Sequence, residues 1–243
     1  MFYLIPQKFV SGLAAHAVGA LVAVDNTFAT PINSNPLTLG VDLVLHSATK
    51  FLGGHADALG GIVCGSKEYV ERVYHYREIN GATLHPMSAY LLMRGMKTLS
   101  LRINHQNQSA LAIARFLHHH PAVESVFYPG LEHHPHHDVA VRQMRGFGGV
   151  LSFALKGGLA SVGALIPRLK YGHAAANLGA VETVIGPPAT TSHVENTPQE
   201  RAAMGIPEGM LRYSVGIEDT DDLIADLSQA LEGAGECKDS SNI

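Results

Sequence analysis

Two short runs early in the chain, "ALVAVD" (20–25) and "VDLVLH" (41–46), are Val-rich and almost unbroken in apolar character. Strands buried on both faces of a parallel sheet have this texture, because neither face meets water. The stretch between them, "NTFATPINSNPLTLG", is dense in Pro, Asn and Gly and predicts a loop with little regular structure. "GGIVCG" (60–65) predicts a third strand, and Ser66 can cap a helix through "KEYVERVYHYR". Pro86 then sits where a first helical turn tolerates it, and helical periodicity persists to about residue 120. Gly95 lies inside that long pattern and predicts a bend or a bridge between two domains.

Beyond Pro121 the alternations shorten. "VESVFY" and "GVLSFAL" predict strands, "ASVGALIPRL" a helix, "LRYSVG" a strand and "DTDDLIADLSQALE" a final helix. Asp219 and Thr220 are candidate caps for that helix, and its acidic first turn suits the helix dipole. This is α+β order, distinct from the parallel half before it.

A chain of 243 residues with 46% hydrophobic content can bury a substantial core. The formal charge of -4, with no run of Lys or Arg, offers no basic surface to nucleic acid. No stretch approaches the ~18 apolar residues of a membrane span. The apolar start carries Lys8 and His16 and lacks the basic leader of a signal peptide, so a cytoplasmic protein is expected. Of the two cysteines, Cys64 is expected to be a small buried hydrophobe and Cys237 to lie in a polar tail without chemistry. The histidines at 118–120 and in "HHPHH" (133–137) have neither cysteine partners nor HExxH spacing, so no metal site is expected.

The chemistry concentrates in "HSATKFLGG" (46–54), just beyond the second strand. In open parallel sheets ligands bind outside the carboxyl ends of the strands, and both Asp25 and Lys50 can reach that rim. A nucleotide phosphate loop is excluded, because its glycines precede the lysine and here they follow it. Two readings of Lys50 stay open on residue type alone: a plain surface lysine, or a Schiff-base lysine. The second needs an acidic partner for a pyridine nitrogen and hydroxyls for a phosphate, and Asp25, Ser47 and Thr49 are those groups by type.

The segment "VDNTFATPINSNPLTLGVDLVLHSATKFLGGHADALGG" closely resembles the lysine segment of the Cys/Met-metabolism family of pyridoxal-phosphate enzymes. That family includes cystathionine gamma-synthase, the cystathionine lyases, methionine gamma-lyase and O-acetylhomoserine sulfhydrylase. "FYPGLEHHPHHDVA", "GFGGVLSF", "AANLGAVETVIGPPATTSH" and "LRYSVGIEDTDDLIADLSQAL" resemble its C-terminal domain in the right order. The resemblance implies an α/β fold: the C-terminal half of a pyridoxal-phosphate-binding large domain, mostly parallel sheet with helices (1–104), then a smaller α+β domain (105–235) and a mobile tail (236–243). Lys50 would join the cofactor aldehyde and move protons on the substrate. Asp25 would keep the pyridine nitrogen protonated, Ser47 and Thr49 would bind the phosphate, and Thr27 would lie near the ring oxygen. Arg212 would grip the substrate's α-carboxylate, and Asn177 would stand near the substrate's far end.

The implied partners are a sulfur amino acid or an O-acylhomoserine, in a homo-oligomer. The implied reaction makes or breaks a C–S bond, of the cystathionine gamma-synthase or gamma-lyase type. Sulfhydrylase or methionine gamma-lyase activity is the alternative within the family. Asn177 stands where lyases of the family often carry Ser, and Ala176 where the mammalian gamma-lyase type is acidic, which weakens a specific gamma-lyase assignment. The resemblance starts in the middle of the family's cofactor domain, so a fragment, or a silent chain acting as a structural subunit, is the expectation kept beside it.

Overall fold

The computed structural model describes residues 14–235, so Lys8, Cys237 and the tail lie outside the described residues. The chain divides into two compact units. The first runs to Asn104 and adds Pro135–Gly148; the second holds His105–His134 and what is described from Gly149 onward.

In the first unit, β1 (Ala23–Asp25), β2 (Leu43–Ser47) and β3 (Gly61–Gly65) form a sheet in that order. β1 and β2 are parallel, with Asp25 opposite Leu45, whereas β2 and β3 are antiparallel, with Ser47 opposite Gly61. The chain reverses between β2 and β3 without a long crossover helix, and only an antiparallel partner allows that. Burial along β2 alternates, with Val44 and His46 buried and Leu45 39% exposed. The expectation of strands buried on both faces is therefore corrected: within this unit β2 covers one face. Cys64 is corrected too, since it is exposed on the edge strand.

α1 (Lys67–Asn80) follows β3, and Ser66 caps it as its type requires, Oγ accepting the Tyr69 N–H at 3.4 Å. The long helical pattern after Pro86 forms two helices, α2 (Pro86–Met96) and α3 (Leu99–His119). Gly95 is not itself the break. It lies in α2 against the Gly53 main chain, where a Cβ would overlap the Gly53 carbonyl oxygen. The break falls just after it, where Thr98 Oγ1 donates to Gly95 O at 3.2 Å. The division between units falls within α3, after Asn104. α4 (His137–Gln143) belongs to the first unit.

The second unit is built on β4 (Val123–Phe127), β5 (Val150–Leu155), β6 (His173–Ala174), β7 (Val184–Gly186) and β8 (Met210–Ser214), in the order β4-β5-β8-β7-β6. All neighbours are antiparallel except β6 and β7. α5 (Gly158–Leu165), α6 (Pro198–Ala203) and α7 (Thr220–Gly235) complete it. Leu151, Phe153, Ile185, Met210 and Tyr213 from the sheet, and Leu165, Leu223 and Leu227 from the helices, are almost wholly removed from water. Asp219 caps α7, its Oδ1 accepting the N–H groups of Asp221 at 2.9 Å and Asp222 at 3.3 Å. Thr220 does not share that task; its hydroxyl lies 2.7 Å from Ser109 Oγ. Among the described residues no helix is long and apolar enough to cross a membrane.

The two glycine environments give a paired prediction. Gly95→Ala should destabilise the chain by about 1–3 kcal/mol, because backbone rather than a flexible side chain must move. Gly163, in α5, has nothing within 4 Å of an added Cβ, so Gly163→Ala should stabilise by about 0.4–1 kcal/mol. Chemical denaturation of the two variants checks the opposite signs.

Candidate active site

Parallel pairing brings the carboxyl ends of β1 and β2 to one rim of the first unit's sheet. Asp25 closes β1, and its Oδ1 accepts the Thr27 N–H at 2.9 Å, a local turn that fixes the carboxylate against the following loop. Thr27 is buried, and its Oγ1 accepts the Ser47 N–H at 2.7 Å. The end of β2 is thereby tied to the loop after β1. Because Thr27 uses its oxygen as acceptor there, its hydroxyl proton can still donate.

Lys50 leaves this rim from a widened turn, Ala48–Leu52, in which Gly53 N–H donates five residues back to Ala48 O at 2.9 Å. Its own backbone is non-helical, at φ -90° and ψ -130°. Gly54 N–H closes on Lys50 O at 2.8 Å. The turn is pinned to the start of β3 from its other end: Ala48 N–H donates to Gly60 O at 2.8 Å, and Thr49 Oγ1 accepts Gly60 N–H at 3.1 Å. Sequence expectation placed Asp25, Thr27, Ser47, Thr49 and Lys50 together, and the structure brings all five to one rim of one unit.

His46 was quoted in the motif without a role. It is 7% exposed, and its Nδ1 has no hydrogen-bond partner. Burial pulls its pKa down, and the charge of Asp25 opposes that shift without cancelling it. A neutral imidazole thus lies beneath the rim.

The other two expected residues belong to the second unit. Arg212 lies on β8 between Ser152 of β5 and Gly186 of β7. Its Nη2 donates to Ala176 O at 2.7 Å and Asn177 O at 2.9 Å. Asn177 therefore meets Arg212 through its main chain, a link no side-chain motif could display. Burial lowers the guanidinium pKa from its ordinary value, yet leaves it charged at neutral pH. Nη2 is committed to these two carbonyls, which fixes the plane of the guanidinium and leaves the donors on Nε and Nη1.

The donor set of the first unit fits pyridoxal phosphate. It offers a primary amine, a carboxylate at the same rim, and three hydroxyls on the adjoining backbone, with Thr27 still able to donate. Among the described residues no group of three or more His, Cys, Asp or Glu could hold a metal.

The model of the family described as Cys/Met metabolism PLP-dependent enzyme matches residues 10–232. The chain is 48% identical over 217 residues to cystathionine gamma-synthase 1, chloroplastic, of Nicotiana tabacum, covering 89% of this chain and 40% of that protein. It is 46% identical over 233 residues to L-methionine gamma-lyase of Treponema denticola, covering 95% of this chain and 58% of that protein. A crystal structure of cystathionine gamma synthase from Xanthomonas oryzae pv. oryzae in complex with cystathionine superimposes with a TM-score of 0.92 at 42% identity, covering 95% of this chain and 60% of that one. The chain thus spans 40% to 58% of the length of these two curated relatives. It belongs to the family of Cys/Met-metabolism pyridoxal-phosphate-dependent enzymes.

The buried imidazole sets a pH dependence. The folded pKa of His46 lies below the unfolded value near 6.5, so its contribution is complete above about pH 6.5. It is lost as the pH falls through the folded pKa, because the unfolded chain takes up the proton first. His118 and His120 are also shifted down, so the His46 share is a difference between slopes. Melting temperature against pH between about 7 and 5 should fall less steeply for His46→Leu than for the wild type; parallel slopes would exclude His46 as a source of acid sensitivity.

Proposed function

We propose that this chain works in sulfur amino-acid metabolism, making or breaking a C–S bond with pyridoxal phosphate held at the Lys50 rim. The observation that carries the reading is the continuous tie from Asp25 through Thr27 to Ser47, beside the closed turn that presents Lys50. A surface lysine has no need of such support.

Lys50 is the catalytic residue of this proposal. Its amine would hold the cofactor at its aldehyde carbon and, with substrate present, would remove the proton from Cα and return it further along the substrate. When bound, the cofactor supplies an electron sink that makes the Cα proton removable. Asp25 would keep a proton on the pyridine nitrogen, its carboxylate held in place by the turn with Thr27. Ser47 and Thr49 would hold the phosphate through their hydroxyls, and Thr27 would lie near the ring oxygen. Arg212 would hold the substrate's α-carboxylate through its charge and the donors that Ala176 and Asn177 leave open.

The substrate is a cystathionine-type thioether or an O-acylhomoserine. The relatives span synthase, methionine gamma-lyase and O-succinylhomoserine sulfhydrylase, which share this proton chemistry and differ in how the distal half of the substrate is held. We assign cystathionine chemistry first, with sulfhydrylase or methionine gamma-lyase chemistry as the alternative. The same reading carries a cytoplasmic homo-oligomer.

Two measurements test the proposal. Added pyridoxal phosphate should give a stable visible band, and borohydride should fix the adduct to the peptide containing Lys50 and to no other; Lys50→Ala should abolish both. No band, or adducts scattered over many lysines, would mean that this chain alone is silent. In a competent preparation Arg212→Lys should raise the KM for an amino-acid substrate by more than about tenfold, since a point charge cannot replace a planar fork. An unchanged KM would remove Arg212 from the substrate site.

A further inference from the structure

The turn that presents Lys50 leaves a problem that its own backbone cannot solve. The carbonyls of Ala48 and Lys50 are taken by the N–H groups of Gly53 and Gly54. Those of Phe51 and Leu52 point on past the end of the turn, among residues that are themselves buried. Such orphaned carbonyls are destabilising if nothing donates to them.

Arg102 supplies the donors. The side chain is 4% exposed. Its Nη1 donates to Phe51 O at 2.9 Å and its Nη2 to Leu52 O at 3.3 Å. Nη2 also reaches Gly95 O at 2.9 Å, and Nε donates to Thr98 Oγ1 at 3.1 Å. One rigid fork thus joins the Lys50 turn, the end of α2 and the start of α3. Gly54, at φ +76°, is shaped to the same fork, since a Cβ there would overlap the guanidinium.

The ion pairs among the described residues do not include Arg102. Its partners are three carbonyls and a hydroxyl, so its charge is solvated by main-chain dipoles and stays formally whole. An arginine kept only for core stability would be an expensive choice, because burying a cation requires desolvating it. The benefit of a fork is directional: five donors in a fixed plane hold several acceptors in one mutual arrangement, and a lysine cannot.

We infer that Arg102 is a positioning residue for Lys50. It fixes the carbonyl end of the turn and thereby the point from which the lysine side chain departs. This rests on the reading of Lys50 as the cofactor lysine, but its geometry lies wholly within the first unit and two of the three readouts of its test do not need the cofactor.

The experiment compares the full chain with Arg102→Lys and Thr98→Val. Thr98→Val removes one of the four acceptors and leaves the fork on the turn. Three readouts are taken: amide exchange of the peptide spanning residues 48–54, the pH dependence of Lys50 acetylation by acetic anhydride, and the yield of borohydride-fixed pyridoxal phosphate at Lys50. In Arg102→Lys, exchange in the turn should accelerate by at least about tenfold while α7 is unchanged. The Lys50 acetylation curve should shift along the pH axis, and the fixed adduct should fall by about ten- to a hundredfold at limiting cofactor. Thr98→Val should move each readout the same way by less.

A folded Arg102→Lys protein with wild-type acetylation and exchange at the turn would overturn the inference, whatever its melting temperature. If Arg102→Lys does not fold, an unchanged acetylation curve in Thr98→Val overturns it instead. A wild-type chain that fixes no cofactor at Lys50 defeats the cofactor reading alone, because acetylation and exchange still decide whether Arg102 sets the lysine.

Discussion

The main-chain carbonyls of the turn Ala48–Leu52 are the constraint on which the first unit is arranged. Lys50 is presented at the rim neither by a regular helix nor by a strand, where the backbone would satisfy itself. It comes from a turn whose N–H and C=O groups must find partners elsewhere. One end finds them on Gly60 at the start of β3, and the other on Gly53, Gly54 and Arg102. Gly95 then has no room for a side chain, because its helix packs on the Gly53 main chain. A local need for hydrogen bonds thus dictates residue identity some forty positions further along the chain.

The second unit answers a different demand by a similar device. Arg212 lies on a central strand, with a neighbour on each side, so its backbone is fixed by the ladder. Its guanidinium is then oriented by the carbonyls of Ala176 and Asn177. The segment carrying those carbonyls is irregular, yet it is anchored by Ser214 Oγ, which accepts the Gly179 N–H at 2.9 Å. Glu218 adds a second anchor by accepting both the N–H and the hydroxyl of Thr183, at 2.6 and 2.8 Å. The loop around Asn177 is therefore held by the strand it serves.

What the sequence displayed was local. The Val-rich runs, the caps at Ser66 and Asp219 and the order of elements could be placed by pattern, because each depends on neighbours within a few residues. β6 and β7 could not: with two and three residues, they carry no period, and only the pairing of β7 to β8 and of β6 to β7 defines them. Cys64 was misjudged because an apolar strand looks alike at the centre and at the edge of a sheet. The Lys50 cluster was legible since its members lie within one contiguous segment. Arg102 was not, because its role is a contact across some fifty residues of chain, and as a lone arginine in a helical pattern it carries no signal. Gly95 showed itself as an interruption, but its cause, the Gly53 carbonyl, lies outside any local window.

Arg102 and Arg212 are both held by carbonyls, and the choice of partner has a consequence. A carboxylate would orient a guanidinium equally well and would recover more of its desolvation cost, but it would also cancel the charge. Carbonyl dipoles orient without neutralising. Arg212 therefore keeps its positive charge uncancelled while the carbonyls of Ala176 and Asn177 fix its Nη2. Asp25 shows the complementary logic. Its carboxylate accepts a neutral N–H, that of Thr27, and is in none of the ion pairs among the described residues. At Asp25, Arg102 and Arg212 neutral backbone groups do the positioning and the side-chain charge is left uncancelled, whereas Arg201 is neutralised by Glu208 at 2.8 Å.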